Sequence, residues 1–247
     1  YLNVPTVLVD HSAITCDRKS SIRSPEYLIV TDQYSAGTDV ARHLASLGHR
    51  NVAFISLWPP EDAWVRLRLQ GAESILGPVG SEENPRGLSA YIPSRSEVRS
   101  RKGVDMNLYT APADLLRRRL KESDVVQAYP EIVNEILRPV LDFKVLLNQT
   151  KTLYPLFERI LRRTETTAWM CANDTVAIAA ATFLKRRGIR IPEDLSITGF
   201  DAGPGAAVLG ISSYDFELER IGRTAIRTLL HRDSLVTSKD RRLFVKG

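Results

Sequence analysis

The chain has 247 residues, of which 43% are hydrophobic and 26% charged, with a formal net charge of +5. That is enough for one large or two modest domains with a genuine core, and no apolar run approaches the roughly 20 residues that span a bilayer. The basic excess gathers between Arg86 and Lys121 and again at Lys239, Arg241 and Arg242, without the interleaved aromatics or Cys/His spacing of a nucleic-acid surface, so it reads as solvated loop and helix faces. In chain order, Val4 to Asp10 and Tyr27 to Thr31 read as short strands around a polar stretch. From Ser35, Val40, Ala41, Leu44 and Leu47 recur at helical spacing up to Gly48. Val52 to Ser56 reads as a strand, Trp58-Pro-Pro-Glu-Asp as a rigid turn, and Ala63 to Leu76 as a helix. The Gly, Pro, Ser and Arg content of Gly77 to Lys102 predicts an exposed loop. Helical periodicity returns in Ala113 to Glu122 and Glu131 to Arg163, with breaks expected at Pro139 and Pro155. Cys16 and Cys171 lie far apart with no Cys-x-x-Cys spacing, which fits a reduced, cytoplasmic setting.

The densest pattern follows. Ala168 to Cys171 reads as a strand that ends in Ala172-Asn173-Asp174. A helix then runs from Thr175 to Arg187, an Ile-Pro-Glu-Asp turn begins at Ile191, and a second strand ends in Gly199-Phe200-Asp201. This is a βαβ unit with polar groups at the ends of both strands, where an open parallel sheet holds small ligands. Ala202 to Gly205 reads as a mobile turn, Ile211 to Phe216 as a strand, Glu217 to His231 as an amphipathic helix and Leu243 to Val245 as a last strand. Strands alternating with helices predict α/β layers on mainly parallel sheets.

Taken in order, several segments resemble the effector-binding region of lactose-repressor-family (LacI/GalR) transcription regulators. They are Val4-Pro-Thr-Val-Leu-Val-Asp10, Asp32 with Gly37 and His43-Leu44, Gly48-His49-Arg50-Asn51-Val52, Arg68-Leu69-Gln70-Gly71, Ala172-Asn173-Asp174, Ile191-Pro-Glu-Asp194 with Gly199-Phe200-Asp201, and Phe216 to Gly222. The resemblance covers most of the chain outside roughly residues 77 to 145. It implies a two-lobed, periplasmic-binding-protein-like α/β fold whose lobes close on a ligand, with the first lobe incomplete in this chain. Residues 1–46 and 215–231 would form that lobe and 50–212 and 240–247 the second, with an insertion at about 77–145 and crossings near Gly48, Ser213 and Ser234.

The same resemblance nominates the site. Arg68 would reach the ligand, a role its forked guanidinium suits for vicinal hydroxyls or a carboxylate, against the alternative of a surface arginine. Trp64, one helical turn earlier, offers an indole platform for a sugar's C–H face or packs in the core, and Asp62 lies on the same approach or in a solvated turn. Asn173 can donate and accept to hydroxyls or cap the following helix, in which case Asp174 could take the cap and free it. Asp201 is a ligand carboxylate or an Asx turn cap. Phe216 stacks on the ligand or sits in the core, Tyr109 loosely matches a pocket aromatic, and Asp32 lines the cleft or starts the following helix.

No nucleophile elbow, phosphate loop or paired zinc histidines occur, which argues against an enzyme, and no cofactor or metal is expected. The resemblance implies a homodimeric regulator that binds a sugar or sugar acid and acts on operator DNA through a domain outside these residues, with no membrane association. The rival is a periplasmic sugar-binding component of a transporter, which shares the fold; the absence of a signal-like start to this sequence and the Gly48-His49 and Ile191-Pro-Glu-Asp pattern weigh for the regulator.

Overall fold

Two short apolar runs near the start of the chain pair as parallel neighbours, β1 (Val7–Asp10) with β2 (Tyr27–Thr31). The computed structural model describes residues 7–10, 27–78, 87–92, 153–230 and 242–245. Beside β2, also parallel, lies β8 (Arg242–Val245), which gives a three-stranded sheet of order β1-β2-β8. Its layer is completed by helix α6 (Leu218–Leu230), whose Ile221 and Ala225 pack on Ile29.

The second sheet has five parallel strands in the order β4-β3-β5-β6-β7, formed by Asn51–Ile55 (β3), Gly87–Tyr91 (β4), Ala168–Cys171 (β5), Ser196–Phe200 (β6) and Ser212–Tyr214 (β7). β3 and β5 are buried almost throughout, as strands covered on both faces must be. From β3 the chain steps outward to β4 through α2 (Ala63–Leu76), and from β5 it steps the opposite way to β6 through α4 (Asp174–Arg186). Because parallel crossovers are right-handed, these steps put α2 and α4 on opposite faces, and the strand order reverses between β3 and β5. Helix α5 (Pro204–Val208) precedes β7.

Helix α1 (Gln33–Ser46) packs along α2. A Cβ on Gly37 would lie 2.1 Å from the Arg68 carbonyl oxygen, and one on Gly71 would lie 2.1 Å from that of Tyr34. The helix backbones therefore touch at reciprocal glycines, which lets the Ala36, Val40, Ala41 and Leu44 face join the core of Val52, Phe54, Met170 and Phe200.

Four expectations need correction. α1 buries its apolar face with the five-stranded sheet, so it does not belong with residues 1–31, and the first change of sheet falls at Asp32 rather than Gly48. The last strand, assigned by sequence to the second lobe, pairs with β2 in the first sheet. Inside the expected loop 77–102, Leu88 and Tyr91 are buried on β4 against β3; five residues flanked by Gly, Pro and Arg are too short a signal to stand out. Ala202–Gly205 is not a free turn either, since Pro204 starts α5 at the position where a missing N–H costs nothing.

Residues 93–163 form a separate compact unit. Its described residues are 153–163, and the described part of a helix, α3, at 153–161 buries Leu153, Leu156, Phe157 and Ile160 on one face. The described helical residues run without interruption through Pro155, where a break was expected. The other helical expectations between residues 113 and 152, and the loop beyond residue 92, lie outside the described residues.

Candidate functional site

All five strands point their carboxyl ends at one edge of the sheet, and the reversal of strand order between β3 and β5 opens a crevice there. Arg68, in the second turn of α2, fills that crevice and is 2% exposed. Its Nε donates to Gln33 Oε1 at 2.7 Å, its Nη1 donates to the Ala172 carbonyl just past β5, and its Nη2 lies 3.7 Å from Asp201 Oδ1 just past β6. Phe200, Trp64 and Phe216 surround the guanidinium, with ring centroids 4.5, 4.9 and 4.9 Å from Cζ, close enough for cation–π attraction. Burial pulls the Arg68 pKa down to about 10 against the opposing fields of Asp201 and Asp174. The group remains cationic at neutral pH.

Phe216 is 1% exposed and forms an edge contact with Tyr214 at 5.0 Å. It is floor rather than an open stacking platform, which favours the core half of the sequence reading. Trp64 is half-buried and meets Trp58 edge-on at 5.4 Å. Asp62, at the start of α2, makes no side-chain cap to that helix and is also half-buried. The Asp201 side chain is 38% exposed. The accessible groups beside the guanidinium therefore include Asp201 and Trp64, and the buried guanidinium does not present the open fork expected from the sequence.

Asn173 caps α4 by accepting from the Val176 N–H at 3.0 Å. Asp174 therefore does not release it from that work. Instead, the Asp174 carboxylate accepts from the Gly203 N–H and the Ser213 hydroxyl, each at 2.6 Å. Burial raises its pKa, and the two hydrogen bonds oppose the rise. Asp32 caps α1 through Ser35, whose N–H and hydroxyl donate at 2.9 and 2.7 Å; this is the helix-start role, at the point where the chain changes sheets. Tyr109 lies outside the described residues. Gln33 escaped the sequence reading although it is buried and joins Arg68 to the Thr31 hydroxyl at 2.7 Å; a polar residue next to a cap carries no local signal of burial.

A cavity of about 420 Å³ lies between α1 and β6–β7, lined by Asp39, His43, Thr198 and Ser213 among others, and contains none of the expected site residues. The convergence of charge and aromatic surface is at the strand ends. Burial pushes the Cys171 thiol pKa upward, so it is inert. Among the described residues no helix is long and apolar enough to cross a membrane, and no cluster of metal-binding side chains occurs.

Residues 142–243 match the family model of a periplasmic binding protein-like domain. The chain is 34% identical over 90 residues to the HTH-type transcriptional repressor PurR of Haemophilus influenzae (strain PittEE), which is 35% of this chain and 26% of that protein. It is 38% identical over 68 residues to the ribose operon repressor of the same species (strain ATCC 51907 / DSM 11121 / KW20 / Rd), covering 27% of this chain and 20% of the relative. These alignments span 20–26% of the curated relatives' lengths. Among solved structures, a LacI family regulator from Enterococcus faecium with bound ribose aligns over 98% of this chain and 67% of its own, with a TM-score of 0.56 and 18% identity. A LacI regulator from a Rhodococcus species aligns over 98% and 66%, with a TM-score of 0.58 and 15% identity.

Proposed function

The chain has the periplasmic-binding-protein-like fold and the effector-binding sequence pattern of lactose-repressor-family regulators, and from that premise we propose that it is the sensing part of a transcription regulator, taking a sugar or sugar-like molecule at the strand ends around Asp201. The observation that carries this reading is that the Asp201 carboxylate and the Trp64 ring both flank the Arg68 guanidinium at the strand ends. An exposed carboxylate accepts from hydroxyls, and a half-buried indole covers a C–H face. Nη2 of Arg68, 3.7 Å from Asp201, stands behind that carboxylate as a donor for an entering oxygen. In this reading the described lobes are residues 7–31 with 218–230 and 242–245, and residues 33–78 with 87–92 and 164–214. The protein would act as a homodimer on operator DNA through a helix-turn-helix part not contained in this sequence, as the names of the matched repressors indicate for those proteins. Ligand binding would act by favouring one lobe arrangement over another.

A thermal-shift screen of ribose, other monosaccharides, sugar acids and purine bases on the full-length protein tests the reading. At least one should raise the midpoint in proportion to the logarithm of its concentration, and Asp201→Asn should abolish that rise while leaving the unliganded midpoint in place. Operator binding in a gel-shift titration should respond to the same compound. A flat response to the whole panel, or an Asp201→Asn protein that binds as tightly as the wild type, would overturn the assignment.

A further inference from the structure

The turn after β6 holds two non-glycine residues in the left-handed region, Asp201 at φ 103° and Ala202 at φ 47°. Such residues are strained and persist only where their surroundings over-determine them. Here they do. The N–H of Asp201 donates to the Tyr214 carbonyl at 2.9 Å, that of Ala202 to Ser213 Oγ at 2.9 Å, and that of Gly203 to Asp174 Oδ2 at 2.6 Å. Ser213 Oγ in turn donates to Asp174 Oδ1 at 2.6 Å. Three successive amides are tied down, two of them through the Asp174 carboxylate directly or by one relay.

The seat of that carboxylate is built for it. A Cβ on Gly199 would lie 2.2 Å from Asp174 Oδ1, so the space exists because residue 199 has no side chain. The bland alternative, an acid serving the first turn of α4, is already answered by Asn173, which caps that helix, whereas both Asp174 oxygens point across to the loop and to β7.

We propose that Asp174 is the positioning residue for Asp201, a clamp that with Ser213 forces the 201–203 turn into its left-handed path and so aims the Asp201 carboxylate over Arg68. The proposal rests on the reading of Asp201 as the ligand-facing group, but the clamp itself is measurable without a ligand. Asparagine at 174 is nearly isosteric, yet it can accept at only one of the two oxygen positions and meets the other donor with its own N–H₂.

The test uses the full-length protein as wild type, Asp174→Asn, Ser213→Ala, Ala202→Gly and the double variant Asp174→Asn/Ala202→Gly. Residue-resolved hydrogen exchange is measured without ligand, and calorimetric titration is run with ribose as the probe. Exchange at Ala202 and Gly203 should rise at least tenfold in Asp174→Asn, and at Ala202 in Ser213→Ala. Ribose should bind at least tenfold more weakly to Asp174→Asn. Glycine takes positive φ without strain, so Ala202→Gly should restore most of the affinity to the double variant, a rescue that general damage to the fold would not show. Unchanged exchange in Asp174→Asn overturns the clamp whatever the chain binds, and so does a double variant as weak as the single. A wild type that ignores ribose counts against ribose as the ligand alone, while the exchange data decide the clamp.

Discussion

Replacing Arg68 by alanine separates two roles that the sequence alone merges. If Arg68 were chiefly a ligand contact, the variant would fold normally and lose only affinity. The structure gives the opposite emphasis, because the side chain is 2% exposed and its Nε and Nη1 serve Gln33 Oε1 and the Ala172 carbonyl, both within buried residues. Truncation strands those two acceptors at about 1–3 kcal/mol each and empties the space among Trp64, Phe200 and Phe216. Against this stands the relief of a desolvated cation, the same effect that draws its pKa down to about 10. Breaking a buried charged network by removing one member typically costs about 3–5 kcal/mol net, which in a chain of this size lowers Tm by about 6–20 °C. Arg68→Met, which refills the space without donors, should fall between wild type and alanine. Urea unfolding at neutral pH, followed by tryptophan fluorescence and far-UV circular dichroism, reads the difference. An Arg68→Ala midpoint equivalent to less than about 1 kcal/mol of destabilisation would refute the argument that this arginine is structural as well as functional.

Other expectations follow from the same geometry. Gly37→Ala and Gly71→Ala each drive a Cβ to 2.1 Å from a facing carbonyl oxygen, so each should cost at least about 1–3 kcal/mol in urea unfolding; a wild-type midpoint for either would mean that the helices do not cross as described. Arg68 and Gln33 share one buried hydrogen bond, so a double-mutant cycle of Arg68→Met and Gln33→Ala should show a coupling of about 0.5–3 kcal/mol, and strict additivity would argue against the contact. Asp194, exposed and forked by Arg190 at 2.7 and 3.0 Å, has its pKa lowered from 3.8 to about 2, chiefly by that hydrogen bond. A depressed folded value stabilises above the unfolded pKa and is lost as pH falls through the folded one. The stability difference between wild type and Asp194→Asn should therefore be level at neutral pH and shrink between about 4 and about 2; a difference that grows on acidification would contradict this.

Much of the second sheet was legible in the sequence because its signals are local. The Asn-Asp ending of β5, the helix behind it, the Pro-Glu-Asp turn and the strand to Asp201 all lie within 34 residues of Ala168, and the helix Ala63–Leu76 was read with the bounds it has. What stayed hidden depends on contacts distant in sequence. The sheet to which α1 and β8 belong is settled by Gly37 against Arg68 and by β8 beside β2, pairings that no periodicity within either element can announce. β4 is masked by its flanks, and its strand character comes from the neighbouring β3. Asn173 takes the cap, one of the two roles open to it, and Asp174 does not, since which of two adjacent polar residues caps a helix depends on what faces the other, here Gly203 and Ser213.

The two described passages between the sheets differ in build. At the first, Asp32 caps α1 while Gln33, one residue on, binds Thr31 at the end of β2 and Arg68 in α2. At the second, Phe216 lies beneath the same guanidinium and Glu217 turns into α6 at φ 50°. One side chain, Arg68, thus touches both passages, and its remaining nitrogen lies 3.7 Å from the carboxylate that the Asp174 clamp aims. A ligand can shift an equilibrium between arrangements only by the difference in free energy of its contacts in each. A molecule that drew on Asp201 and Nη2 would do so at the group whose other nitrogens hold Gln33 and the end of β5, so any change in guanidinium position would be felt at the first passage through Gln33 and at the second through Phe216. The short reach of these contacts would make such a coupling a matter of packing and hydrogen-bond geometry within a few ångströms, with no need for a longer route through the sheet.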